Sequence, residues 1–305
     1  AIMKRNAMKG SVIPVYSGLP TVLQENGYCN LFFMTHESQY DNMNAFLRTN
    51  GFDEIYAQEN YPSEKVVNSF GVQDDFMYQY ALPILNERAG TGNPFFSVLL
   101  SISNHPPYVI PPYFHPHSDV LEEQIVEYAD WSIRQFMQAA EKQPWFDNTI
   151  FVFLGDHGKM VGTPECEMPQ SYNHIPLMIY GKDIKPGVYD GFGGQVDVSP
   201  TLLGLLNISY LQNNFGVNLL EEERPCMFFT ADNLIGARDS VNMFIYSPDS
   251  QQEFKYKLEE GKLRAATGTD EEAFRNLKDY CFSMLQSTES LVKEHKTLDK
   301  VSVKK

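Results

Sequence analysis

Four short runs, NLFFMT (30–35), PFFSVLLSIS (94–103), NTIFVFLG (148–155) and IPLMIYG (175–181), are almost continuously apolar. Strands of that kind are covered on both faces, which calls for helices on both sides of a sheet. The periodicity between the runs supplies those helices, at about 17–26, 40–50, 73–88 and 119–142. In the last of these, Leu121, Ile125, Tyr128, Ala129, Ile133 and Phe136 recur at spacings of three and four. A further helix is expected to begin at Ser199-Pro200, where Ser caps and Pro fits the first turn. Two more strands, CMFFTA (226–231) and VNMFIYS (241–247), and a helix over 269–289 follow the change of pattern after residue 210. The prediction is an α/β fold, a central and largely parallel sheet flanked by helices over residues 1–210, with a small C-terminal α+β extension or subdomain over 211–305.

A chain of 305 residues buries a full-sized core, and 43% hydrophobic against 21% charged residues is the composition of a folded globular protein. The net charge of −15 and the lack of any dense Lys/Arg stripe argue against nucleic acid as a partner. The Lys-rich end, from Lys293 to Lys305, reads as a solvated tail. Cys29, Cys166, Cys226 and Cys281 are far apart and form no C-x-x-C pair, so they suggest neither a zinc knuckle nor a redox motif, and they neither prove nor exclude an oxidising compartment. No apolar run is long enough to cross a bilayer, and AIMKRNAMKG lacks a signal-peptide core, which predicts a soluble chain. The opening SVIPVYSGLPTVLQENGY reads as the middle of a domain, so the chain is expected to be a fragment.

Polar residues collect where the apolar runs end. GDHG (155–158) puts Asp156 and His157, an oxygen and a nitrogen donor suited to zinc or manganese, at the carboxyl end of a strand. Taken alone, the dipeptide is better explained by an Asp capping the next turn beside an incidental His. SISNHPPYVIP (101–111) presents His105 in a loop stiffened by two prolines, where an imidazole suits an anionic substrate or proton transfer to a leaving oxygen. A surface His in a proline turn is an equal explanation. His174 precedes another strand in MPQSYNHIPLMIYG (168–181), whereas His115, His117 and His295 lie in polar segments. His36 and Glu37 follow NLFFMT, and the helix beyond carries Tyr40, Asn42, Met43 and Phe46, with capping sufficient to explain Asp41 and Asn44. If the strands are neighbours in one sheet, these loops converge on a candidate metal or phosphate site.

In this order, YDNMNAFLRTNGFDEI, FFSVLLSISNHPPYVIP, YADWSIRQFMQAAEKQPWFDNTIFVFLGDHG, SYNHIPLMIYG and QVDVSPTLLGLLNIS resemble the lipoteichoic acid synthase-like branch of the sulfatase and alkaline phosphatase superfamily. The likeness covers roughly residues 10–210 and is strongest to the forms found in Bacteroidetes. It implies an alkaline phosphatase-like sandwich and one divalent metal, usually manganese, with zinc or magnesium as alternatives. Family members hold that metal with an early Glu, a Thr nucleophile and the Asp-His of GDHG, of which Asp156 and His157 are present here. His105 matches the His that helps bind the phosphoglycerol group, with Asn104 beside it. His174 stands near the place of a further His close to the reacting phosphate in phosphoethanolamine transferases, although the spacing differs. His36 and Asn42 fall in the segment that contacts the head group, and Asn44 stands where some members carry an arginine. Gln195 stands where two-metal members have a His before V-D, which favours a one-metal transferase, with Asp197 left to cap the helix.

No early Glu strand or Thr-bearing helix start is found, since Ser11, Ser17 and Thr21 are not in a strand-turn-helix context. The resemblance therefore implies a nucleophile upstream, together with transmembrane helices that place the domain on the extracytoplasmic face of the bacterial cytoplasmic membrane. The implied activity is transfer of phosphoglycerol or a related head group from a lipid-linked phosphodiester to a glycan or glycolipid acceptor, with this fragment inactive alone. The alternatives are a sulfatase, whose C/S-x-P-x-R motif does not occur in this chain, a phosphoethanolamine transferase, or a non-catalytic binding domain with an incomplete metal site.

Overall fold

The computed structural model describes residue 13 and residues 15–297 apart from 232, 269 and 295. Ser11, His295 and residues 298–305 of the Lys-rich end lie outside it. The chain divides into two compact units, one ending at Thr149 and the other running from Ile150.

The first unit opens with helix α1 (Leu19–Glu25), whose N-terminus is closed by Thr21: its Oγ1 accepts the Gly18 N–H at 3.0 Å. Strand β1 (Cys29–Met34) follows, then α2 (Met43–Thr49), β2 (Glu54–Tyr56), the short ribbon of β3 (Val66–Asn68) and β4 (Gly71–Val72), α3 (Asp74–Gly90), β5 (Phe95–Leu100) and α4 (Leu121–Ala140). β1 lies between β2 and β5 and is parallel to both, with Phe33 opposite Tyr56 and Leu99. Alternation then sends its side chains to both faces. Leu31 and Phe33 pack with Met77, Ala81 and Leu85 of α3, while Phe32 and Met34 pack with Leu47, Phe52 and Ala57. The apolar reading of NLFFMT as a strand covered on both faces holds. The helix expected over 40–50 starts three residues later, because Asp41 and Asn42 have φ of 50° and 63°, left-handed values that short polar side chains tolerate and a helix does not.

The second unit holds β6 (Phe151–Leu154), the single turn α5 (Gln170–Asn173), β7 (Leu177–Tyr180) and α6 (Gln195–Leu205), then β8 (Met227–Ala231), β9 (Leu234–Arg238), β10 (Asn242–Ser247), β11 (Gln252–Glu259), β12 (Lys262–Ala265) and α7 (Glu271–Lys293). β6 and β7 pair antiparallel with each other, Leu154 opposite Leu177. The expectation of full cover on both faces fails for this ribbon: Leu154, Met178 and Tyr180 are exposed. α6 begins at Gln195 rather than at Ser199, because Asp197 reaches back to accept the Gly194 N–H at 2.9 Å, which leaves Pro200 inside the helix. Asp197 is wholly buried against Arg224, which also donates to the Phe215 carbonyl, so it caps and anchors as expected. β8 to β12 form an antiparallel meander. One face takes Phe274, Leu277 and Cys281 of α7, and the other takes Cys166 and Met168. All four cysteines are free. No helix among the described residues is long and apolar enough to cross a membrane.

Candidate functional site

In the first unit the chain leaves β1 at Thr35 and turns at His36. The imidazole is buried, its Nδ1 3.0 Å from the Glu37 carbonyl, and its ring lies 4.9 Å from that of Tyr40. Tyr40 is 6.3 Å from Phe70, and Phe70 is 4.4 Å from His105. This row of rings brings His36 and His105 to one end of the parallel sheet, the end at which β1 and β5 finish. Asn42 sits half-buried in the turn before α2, and Asn44 accepts a bond from Arg48 Nε at 3.0 Å. Asn104 and His105 are exposed, and His105 Nδ1 lies 2.7 Å from the Pro106 carbonyl, which turns Nε2 outward.

What holds the His105 loop is a pair of acids that sequence reasoning missed. Asp74, 1% exposed at the start of α3, accepts the backbone N–H of Ile102 at 2.9 Å and of Ser103 at 3.2 Å. Burial pushes its carboxyl above the usual carboxylate range, against those N–H bonds. Asp75 beside it accepts the hydroxyls of Tyr128 at 2.5 Å and Tyr113 at 2.9 Å, pinning the far end of the proline loop. Two acids in the first turn of a helix look in sequence like ordinary helix-end charge, which is why nothing singled them out.

In the second unit Asp156 and His157 leave β6 on an exposed turn. Asp156 Oδ1 accepts the His157 N–H at 2.8 Å, and His157 Nδ1 lies 2.8 Å from the Gly158 carbonyl. A proton on Nδ1 satisfies that carbonyl and leaves a lone pair on Nε2, which faces Asp156 Oδ2 at 3.5 Å. Two acceptors at that separation match two donors about 2.0–2.2 Å from one tetrahedral ion, so the pair fits a divalent metal. Among the described residues no group of three or more His, Cys, Asp or Glu is placed to hold a metal.

The turn is braced from behind. Gln195 Nε2 donates to the carbonyls of Gly155 at 3.1 Å and Asp156 at 2.8 Å, so it holds the backbone beneath the Asp156–His157 pair. Gly158 donates its N–H to the Tyr172 carbonyl at 2.8 Å, and any Cβ there would meet the Ser171 carbonyl oxygen at 2.1 Å. The His157 ring stacks on Tyr172, centroids 5.0 Å apart. His174, exposed, follows α5 and donates its N–H to the Gln170 carbonyl. The predicted site residues thus fall into two groups, His36, Asn42, Asn104 and His105 in the first unit and Asp156, His157 and His174 in the second.

A family model described as Sulfatase matches residues 5–208. Among curated proteins, lipoteichoic acid synthase 1 of Bacillus subtilis is 24% identical over 283 residues, covering 82% of this chain and 42% of its own length. Phosphoglycerol transferase I of Xanthomonas campestris is 25% identical over 251 residues, covering 78% and 36%. The chain therefore spans about two fifths of the length of these relatives. Among solved structures, a protein of the alkaline phosphatase superfamily from Vibrio parahaemolyticus superposes with a TM-score of 0.82 at 25% identity, over 97% of this chain and 72% of that one. The fold is alkaline phosphatase-like.

Proposed function

This chain belongs to the sulfatase family, and from that premise we propose that it supplies the C-terminal part of the catalytic domain of a metal-dependent phosphoglycerol transferase. The observation that carries the reading is the Asp156–His157 pair, an exposed carboxylate oxygen and imidazole nitrogen 3.5 Å apart at a strand end, in a chain similar to a lipoteichoic acid synthase and a phosphoglycerol transferase. Asp156 and His157 hold one divalent cation, manganese by family likeness, and the other ligands, a Glu and the Thr nucleophile, lie upstream. Bound there, the cation supplies positive charge to a phosphoryl oxygen and to the nucleophilic hydroxyl.

The residues of this chain divide the remaining work. As the imidazolium, with Nδ1–H donating to the Pro106 carbonyl, His105 donates through Nε2 to a non-bridging oxygen of the phosphoglycerol, with Asn104 beside it, while His36 and Asn42 shape the place of the head group. The Thr oxygen forms a bond to phosphorus as the bond to the lipid oxygen breaks, and His174 gives that leaving oxygen its proton. In the second half the acceptor hydroxyl of a glycan or glycolipid passes its proton to the now neutral His174 as its oxygen bonds to phosphorus and the bond to the Thr oxygen breaks. Such an enzyme works on the extracytoplasmic face of the cytoplasmic membrane, anchored through helices upstream of these residues.

Calorimetric titration with manganese and zinc, on this chain and on one extended upstream, tests the reading, with Asp156→Ala in each. Tight binding confined to the extended chain and abolished by Asp156→Ala supports it. An extended chain that binds no metal through Asp156 overturns it and leaves a non-catalytic binding domain.

A further inference from the structure

The meander β8 to β12 lies beyond the residues matched by the family model, yet its ties lead to the candidate metal pair. The segment Cys166 to Gln170 lies on one face of the meander. Cys166 and Met168 are buried there with Met243, Ile245 and Leu263, and Gly236 of β9 leaves room for Met168: a Cβ on it would come within 3.0 Å of the Met168 sulfur. Tyr256 of β11 donates its hydroxyl to Glu167 at 2.7 Å. At the end of the segment, Arg238 of β9 donates from Nη1 to Gln170 Oε1 at 2.7 Å.

That last bond has an unusual donor. The Arg238 guanidinium lies over the Phe192 ring at 5.8 Å, its Nε is buried without a hydrogen-bond partner, and among the described residues it forms no ion pair. Arg238 is half-buried, with Asp239 as its nearest charge partner, and leaving the buried Nε without a hydrogen bond costs stability, so the bond that Nη1 does make carries weight. Gln170 opens α5, and α5 holds the site from its other end: its Gln170 carbonyl takes the His174 N–H, its Tyr172 carbonyl takes the Gly158 N–H, and its Tyr172 ring carries His157.

We propose that the C-terminal meander is a platform for the active-site turn, and that Arg238, through Gln170 and α5, is a positioning residue for His157 and His174. The importance of this for catalysis rests on the transferase reading, but the clamp itself does not.

Amide hydrogen exchange on the 305-residue chain tests it, with no metal or substrate present. Gln170→Ala cuts the bond from the helix side without touching the sheet, and Arg238→Met cuts it from the sheet side. The expected result in both is exchange about tenfold faster at the His174 and Gly158 amides, with the β9–β10 ladder unchanged in Gln170→Ala. Gln170→Glu, which turns the contact into a charge-assisted bond, slows exchange at the same two amides. Unchanged exchange at His174 and Gly158 in Gln170→Ala overturns the proposal, whether or not Arg238→Met loosens the sheet. The metal titration bears on the transferase reading and this exchange experiment on the clamp, so each fails separately.

Discussion

Asp74 decides more about His105 than any neighbour of the imidazole, since it alone accepts both the Ile102 and Ser103 N–H groups at the root of the loop. Asp74→Ala leaves those groups without their acceptor and is expected to cost about 1–3 kcal/mol in urea unfolding. Asp74→Asn keeps an acceptor oxygen and removes the buried charge. The folded-state pKa of Asp74 is raised by burial, so its contribution to stability is fully present below the unfolded value and is lost as pH rises through the folded one. Urea midpoints are therefore expected to favour Asn over Asp at neutral pH, with the advantage disappearing below about pH 4. At the proposed metal pair, Gln195→Ala frees the carbonyls of Gly155 and Asp156 and is expected to weaken manganese binding by the extended chain about tenfold, read by calorimetry, without changing its thermal midpoint. Of these residues, Asp156, His157 and His105 stood out in the sequence because they follow apolar runs, but position alone did not choose between capping or surface residues and a site, and their proposed roles came from the family resemblance. The roles of Asp74 and Gln195 were not legible, because they consist of bonds to backbone groups that lie far away in sequence.

Between elements, β2 is tied to α3 by one ion pair, Arg88 Nε to Glu54 Oε1 at 2.8 Å, with both side chains about three quarters buried. Burial on its own would raise the Glu54 carboxyl, but hydrogen bonds from Arg88 and Tyr56 outweigh it and hold it below the usual range. A lowered folded-state pKa contributes stability above the unfolded value and loses it as pH falls through the folded one. Arg88→Met is thus expected to cost about 1–3 kcal/mol near neutral pH and progressively less in acid, measured by denaturant titration at several pH values. The longer elements were legible, β1 and β5 as apolar runs and α4 and α7 from helical periodicity. What was not legible were pieces defined by partners rather than by pattern. β2 is three residues held by pairing with β1, and β6 and β7 answer each other antiparallel although their sequences read as covered parallel strands. The start of α6 was set by Asp197 reaching backward, a local bond that outweighs the Ser-Pro signal two residues later.

At the scale of the whole molecule, the family match ends at residue 208 and the chain spans about two fifths of the relatives' length. On the proposed reading its own residues supply two donors for a metal, histidines for the phosphoryl group and a platform beneath one of them, while the nucleophile belongs to the upstream part. With a net charge of −15, the proposed phosphodiester would have to be attracted by local groups and the proposed cation rather than by the protein's overall field. The most direct measurement is release of neutral lipid from a fluorescent lipid bearing a phosphoglycerol head group, in manganese, by the chain extended upstream, alongside its Asp156→Ala and His105→Ala variants. Release by the extended chain is expected, with a fall of about a hundredfold or more in Asp156→Ala, a smaller fall in His105→Ala, and no release by the 305-residue chain. Release that Asp156→Ala leaves undiminished, or no release by the extended chain, would contradict the transferase reading.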